Sequence, residues 1–334
     1  MLCQHSATVS DMNTSTFISN IIILLLLGVS LNACSIINEA SAIPVYDYST
    51  IGKTPDKLRF IAVGDTGKGN SGQYQVAQTM QKKCEKSGCD FILLLGDNIY
   101  NSGVTSIDDP QFKRKFELPY KKINVPFFAV LGNHDYGGNG RKYDPEKSIY
   151  QIKYSAISDK WHMPHNYYHF TIQNTSFFAL DTNILMRKLD KQQKTDITNW
   201  IKSTQSKWNI AFGHHPYISN GQHGNAGEYD GVSESSALNG QAINDFTESV
   251  LCGKVDLYLS GHDHDRQWLE YKCRGTQFAI SGAGSSTRQL SGINPTLYES
   301  DEPGILYISI DGNTLTAEFI DVDSEVNFKH TIKK

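Results

Sequence analysis

The stretch Phe91–Tyr100, FILLLGDNIY, opens with five apolar residues and closes with a glycine, a carboxylate, an amide and a phenol. Five apolar positions without alternation predict a strand covered on both faces, the signature of a parallel sheet inside an α/β fold. Gly-Asp-Asn by itself is ordinary turn chemistry. The same figure, however, recurs four more times: LRFIAVGD at 58–65, VPFFAVLGNHD at 125–135, WNIAFGHHP at 208–216 and VDLYLSGHDH at 255–264. Every one of these apolar runs ends in glycine followed by Asp, Asn or His.

Helical patterns lie between the runs. SGQYQVAQTMQKKCEK (71–86) and DKQQKTDITNWIKSTQ (190–205) have helical spacing, and DPQFKRKFELPY (109–120) starts with Pro in the first turn of a helix. AINDFTESVLCG (242–253) predicts a further helix. The middle of the chain departs from this alternation. YYHFTI and TSFFALD predict a hairpin around Asn174, and GILYISIDGNTLTAEFIDVD predicts another, turning at Asp311-Gly312-Asn313. No repeat or linker divides the body of the chain. The expected architecture is one α/β domain from about residue 50 to 334, with two mixed sheets packed together and helices outside.

In such a sheet the carboxyl ends of parallel strands share an edge, and ligands bind there. The five bursts would then gather Asp65, Asp97 with Tyr100, Asn133 with His134 and Asp135, His214, and His262 with His264. Each alone reads as a turn or a cap. Converging on one point they are a coordination set, with the preceding glycines expected to let the backbone turn tightly.

Composition narrows the functional classes. Formal net charge is −4 and no basic run or stripe occurs, so no nucleic-acid partner held by phosphate contacts is expected. IIILLLLGVSLNA (21–33) is too short to span a bilayer and fits the core of a secretory signal peptide, although no Lys or Arg precedes it. Residues 1–33 read as that leader, 34–56 as a polar spacer and 57–334 as the catalytic domain. Two of the six cysteines, Cys3 and Cys34, belong to the leader region; the other four allow three pairings. The local pairs Cys84–Cys89 and Cys252–Cys273 are the economical choice. A zinc site lacks the short-spaced clusters it needs, and free buried thiols are the bland alternative.

The five blocks in this order, with SGAG at 281–284, resemble the metallophosphoesterase superfamily, and within it the small purple acid phosphatases. The likeness runs from about Leu58 to Gly284. It implies a four-layer α/β/β/α sandwich and a metal-dependent phosphatase acting on small phosphomonoesters. Most metallophosphoesterases begin with Asp-x-His; here Gly67 stands in place of that His, and Tyr100, three residues after the second Asp, resembles the tyrosine of the purple enzymes. A phenolate is a hard anionic donor that favours a trivalent ion.

Carried over by motif, Asp65, Asp97, Tyr100 and His264 would hold Fe(III). Asp97 would bridge to a divalent ion (Fe, Zn or Mn) bound by Asn133, His214 and His262. His134 and His223 resemble the histidines that bind phosphate and protonate the leaving group, with Asp135 expected to orient or charge the His134 ring; His215 reads as structural. Ferric iron, by acidifying bound water, implies an acid pH optimum. LNAC (31–34) resembles a lipobox, so Cys34 would be lipidated and anchor the protein to a membrane, with plain cleavage nearby as the alternative. The implied location is outside the cytoplasm: periplasmic, lipid-anchored or secreted. A phosphodiesterase or nucleotide pyrophosphohydrolase would use the same chemistry, and an iron-dependent redox protein or a binding protein on the same fold would be a different class. Departures from the animal members are Thr66 and Asn101, where those usually carry Trp and Phe.

Overall fold

A computed structural model describes residues 57–334 except 139–141, 190 and 233–235, together with Tyr48, Ile51, Gly52 and Thr54. The leader, Cys34 and most of the spacer lie outside the described residues. Residues 43–334 belong to one compact unit.

The chain lays down β1 (Lys57–Val63), β2 (Phe91–Leu94), β3 (Phe127–Ala129) and β4 (Trp161–His162) as parallel neighbours. It then builds a second sheet from β5 (Tyr168–Ile172), β6 (Thr175–Ala179), β7 (Trp208–Phe212), β8 (Leu257–Ser260), β9 (Arg266–Leu269), β10 (Gln277–Ser281) and β11 (Thr296–Ser300). Finally it returns to the first sheet with β12 (Gly304–Asp311), β13 (Thr314–Asp321) and β14 (Val326–Lys333). The orders are β14-β13-β12-β1-β2-β3-β4 and β11-β9-β10-β8-β7-β6-β5. Both sheets are mixed, because β12 runs antiparallel to β1, β9 to β10, and β5 to β6.

Helices α1 (Ser71–Ser87), α2 (Pro110–Phe112), α3 (Glu146–Tyr154), α4 (Thr182–Met186), α5 (Gln192–Ser203) and α6 (Gln241–Phe246) join the strands. Asn70 caps α1, its side chain accepting from the Gln73 N–H at 3.0 Å. The uninterrupted apolar runs are buried along their whole length, as expected of strands covered on both faces: β2, β3 and β8 contain no exposed residue. Between the sheets, Phe60, Phe91 and Phe128 of the first meet Phe170 and Phe177 of the second, with ring centroids 4.3–5.4 Å apart for Phe128–Phe170, Phe91–Phe177 and Phe60–Phe177. Such aromatic pairs add about 0.5–1.5 kcal/mol each beyond the area they bury, so this seam is a main tie between the layers.

Some expectations needed correction. The helix expected over 109–120 is regular only over Pro110–Phe112 and widens into a π-type turn over Lys113–Glu117; that over 242–253 widens likewise at Thr247–Leu251. The C-terminal hairpin gains a third strand, β14, in which Val326, Phe328 and Ile332 alternate with polar residues and pair along β13. The cysteines form the local pairs: Cys84–Cys89 closes the end of α1 onto β2, and Cys252–Cys273 joins α6's end to the turn before β10.

Candidate metal centre

All five polar bursts meet at one edge of the seam. From the first sheet, the chain after β1 supplies Asp65, that after β2 supplies Asp97 and Tyr100, and that after β3 supplies Asn133 and His134. From the second, the chain after β7 supplies His214 and that after β8 supplies His262 and His264. Asp65, Asp97 and His214 present donor atoms all within 4.8 Å of one another, and so do His214, His215 and His262. All seven expected metal ligands are buried.

Two clusters of donor atoms emerge. In one, the Tyr100 hydroxyl lies 2.9 Å from Asp65 Oδ1 and 3.0 Å from His264 Nε2, and His264 Nε2 lies 3.4 Å from Asp65 Oδ1. In the other, His214 Nε2 lies 3.1 Å from Asn133 Oδ1, 3.1 Å from His262 Nδ1 and 3.5 Å from Asp97 Oδ1. His214 Nδ1 is 2.9 Å from the carbonyl oxygen of Leu95, an acceptor, so that nitrogen carries a proton and Nε2 is the atom turned to the other donors; burial disfavours charge on the ring, but Asp97 and Asp65 more than offset it and raise its pKa. An amide oxygen, a carboxylate and imidazole nitrogens thus point at one another, and a metal cation is what that set of lone pairs fits.

The backbone is contorted to achieve this. Three of the eight described non-glycine residues with positive φ are donor residues: Asp65 at 58°, Asp97 at 52° and His262 at 70°. Asp and His tolerate this left-handed region better than most residues, though at a cost of about 1–3 kcal/mol each, and such strain clusters at functional sites. Of the preceding glycines, Gly96 does have φ 89°, but Gly132 is needed for a different reason: a Cβ there would stand 2.1 Å from Asp97 Oδ1. Glycine here makes room for the neighbouring donor more often than it turns the chain.

Electrostatics follow from this crowding. Burial pushes the Asp65 carboxyl up, but the hydrogen bond from His264 and the charge of His214 outweigh it and leave the group below its usual range. Burial, reinforced by Asp65 and Asp97, drives the Tyr100 phenol well above its usual value. Burial and then the surrounding imidazoles, His223 first, hold His262 well below the usual histidine value, in the neutral form that ligates metals. Buried among the imidazoles, His215 is likewise neutral; its Nδ1 lies 2.7 Å from Thr182 Oγ1.

The expected proton donors adjoin the donor set. The His134 ring lies 4.5 Å from that of Tyr100, with Nε2 3.9 Å from Asp97 Oδ2. His223 stacks on His262 with centroids 4.0 Å apart. Asp135 corrects the expectation made for it. Its carboxylate accepts from the backbone N–H groups of Gly132, Asn98 and Ile99 and from Gln151, whereas His134 Nδ1 faces the carbonyl oxygen of Asn101 at 2.6 Å. Asp135 is fully buried, and burial together with the charge of Asp97 raises its carboxyl to about 6. It pins the loops that carry Asp97 and Asn133 rather than the His134 ring.

Sequence reasoning missed four residues. Ser286 Oγ lies 3.0 Å from His264 Nδ1 and accepts from Lys68 Nζ at 2.6 Å, orienting the His264 ring from behind. Asp230 Oδ1 lies 2.6 Å from His223 Nδ1, and Arg288 Nη1 2.8 Å from His223 Nε2. Lys68 and Arg288 were legible only as basic residues beside the first burst and the SGAG turn.

A two-sheet sandwich with paired donor clusters at its seam is the architecture of a metal-dependent phosphoesterase. The sequence pattern of the calcineurin-like phosphoesterases matches residues 58–266, and the chain belongs to that family, on its purple acid phosphatase branch. It is 30% identical over 320 residues to the human tartrate-resistant acid phosphatase type 5, covering 83% of this chain and 91% of that one. It is 27% identical over 312 residues to purple acid phosphatase 3 of Arabidopsis thaliana, covering 84% and 80%. Among solved structures, GAP50, described as the anchor in the inner membrane complex of Plasmodium, matches with a TM-score of 0.66 at 25% identity, covering 83% of this chain and 89% of that one. The purple acid phosphatase relatives imply a dinuclear metal centre, and the donor clusters are its candidate residues.

Proposed function

We propose that the protein is an exported acid phosphatase that hydrolyses phosphate monoesters with an Fe(III)–M(II) pair. Asp65, Asp97, Tyr100 and His264 would hold the ferric ion. Asn133, His214 and His262 would hold the divalent ion, with Asp97 shared. The observation that carries the reading is the Tyr100 hydroxyl standing within 3.0 Å of both Asp65 and His264. A phenol so raised in pKa by burial and then by two carboxylates is a poor anion until a hard, highly charged cation takes its proton's place.

When bound, such a metal pair supplies Lewis acidity and a water acidic enough to attack phosphorus below neutral pH. The chain's own residues do the rest. As the new P–O bond forms and the ester P–O bond breaks, its electron pair leaves on the alcohol oxygen, which needs a proton. His223 is suited to give it. Burial lowers its affinity for a proton, but Asp230 and Asp263 more than offset this and leave it above the usual histidine value. Nε2, which accepts from Arg288 in the neutral ring, carries the transferable proton once the guanidinium turns from it. His134, held at Nδ1 by Asn101, turns Nε2 toward the same space to bind phosphate oxygen.

Export is supported by the leader-like N-terminus and by two disulfides, which persist in oxidising compartments. No helix among the described residues is long and apolar enough to cross a membrane; lipidation at Cys34 would supply an anchor.

The test is the visible spectrum and metal content of iron-loaded protein beside Tyr100→Phe. A broad charge-transfer band lost in the variant is expected. A colourless wild-type protein of confirmed iron content, with activity unchanged in Tyr100→Phe, would overturn the ferric assignment. Rates on a monoester and a diester of the same phenol then separate phosphatase from phosphodiesterase.

A further inference from the structure

Two cations stand over the donor cluster without a carboxylate of their own. Lys68 Nζ donates to Ser286 Oγ at 2.6 Å and lies 5.2 Å from the centre of the Tyr100 ring. Arg288, two residues beyond Ser286, donates from Nη1 to His223 Nε2 at 2.8 Å, while its backbone N–H is bonded to the His264 carbonyl oxygen at 3.0 Å. Neither enters an ion pair among the described residues; Asp230, the acid nearest Arg288's contact, is engaged by His223. Burial lowers the Lys68 ammonium below its usual value, and the nearby charge of Arg288 lowers it further. Like charges at a site that also gathers metal cations oppose folding, unless an anion arrives to be bound. Both are half-buried, so their side chains have limited freedom to turn away into water.

We infer that Lys68 and Arg288 are specificity-determining residues that bind a second negative charge on the substrate, selecting phosphate esters whose leaving group is itself anionic. The inference rests on the phosphatase reading above. Arg288 is placed for this because it contacts His223, the residue proposed to protonate the departing oxygen. A group bonded to that oxygen therefore passes beside the guanidinium. Its planar fork suits a carboxylate or a phosphate, with Lys68 as a second point charge alongside. In the reaction itself the balance is that of simple hydrolysis: water's oxygen joins phosphorus, the ester P–O bond breaks, and the protonated alcohol leaves with its carboxylate intact.

The experiment uses metal-loaded protein and two near-isosteric esters, glycerol 3-phosphate and 3-phosphoglycerate, which differ in a hydroxymethyl against a carboxylate. The wild type is expected to favour 3-phosphoglycerate in kcat/KM. Arg288→Gln lowers both rates but lowers that preference by about tenfold, Lys68→Gln lowers it less, and Arg288→Lys restores part of it. The preference also shrinks as salt is raised. Hydrolysis of both esters with a ratio that Arg288→Gln does not move overturns this inference alone. Hydrolysis of neither by the wild type overturns the phosphatase reading and this inference with it.

Discussion

The two sheets contribute to the centre in chemically different ways. The first sheet sends oxygen donors, Asp65, Asp97, Tyr100 and Asn133, on loops after β1, β2 and β3. The second sends only nitrogen donors, His214, His262 and His264, after β7 and β8. The oxygen side is buried and carries negative charge, and burial first, then the charge of Asp97 and its neighbours, raises both Tyr100 and Asp135. The imidazole side is crowded: burial holds His262 and His215 low, whereas Asp97 and Asp65 raise His214, which faces them. A cation at the seam relieves both sides together: it is attracted by the carboxylates and accepts the lone pairs of the imidazoles. The two halves are therefore complementary, and the proposed metals would fasten one sheet to the other at the edge where the polar bursts meet.

The sharpest way to break this comparison is to remove the charge that both clusters share. Asp97→Asn keeps the shape of the side chain, yet kcat/KM should fall on the order of 10³-fold, with bound metal falling in parallel. A variant that keeps two metals and most of its activity would mean that Asp97 is not the shared ligand. Chelation tests the other half of the claim, that metals tie the sheets. Removing ions held at about a hundred to a thousand times their dissociation constant should cost about 3–4 kcal/mol of stability, read as a lower Tm on dialysis against chelator. Hydrogen exchange should accelerate at the loops after β2, β3, β7 and β8. An unchanged Tm with confirmed metal loss would show that the aromatic seam suffices.

Much of this centre was legible in the sequence because it depends on what ends a strand. Five apolar runs closing on Gly-Asp, Gly-Asn or Gly-His announced both the parallel strands and the shared edge, and Tyr100 stood out by its distance from Asp97. What could not be read depends on side chains meeting across long gaps. Arg288 reaches His223 across 65 residues, and Lys68 reaches Ser286 across 218. Asp230 lies on a turn whose conformation no local pattern fixes. Asp135 misled for the opposite reason: adjacency in sequence suggested contact with the His134 ring, whereas its carboxylate serves the backbone of its own loop and of the loop after β2. The wide π-type turns ending the helices at 113–117 and 247–251 were likewise invisible, since they change the winding without changing the apolar period much.

The weakest effect lies where the first sheet meets α1, far from the donor clusters, and it tests whether stability and activity can be separated. Glu318 on β13 binds Lys83 of α1 at 2.8 Å and Lys329 of β14 at 3.3 Å. Burial pushes its carboxyl up, but the two lysines win and hold it below the ordinary value. A carboxylate so lowered contributes stability that is fully present above its unfolded pKa and is lost as pH falls through the folded one. Glu318→Gln should therefore cost at most about 1 kcal/mol at pH 7, progressively less below about pH 4, and leave kcat/KM unmoved. Urea titrations of both proteins at about pH 7 and about pH 3.5 would show it. A loss of activity in this variant would mean that the outer face of the first sheet is coupled to the centre, and the division between an oxygen-bearing edge and an inert scaffold behind it would have to be given up.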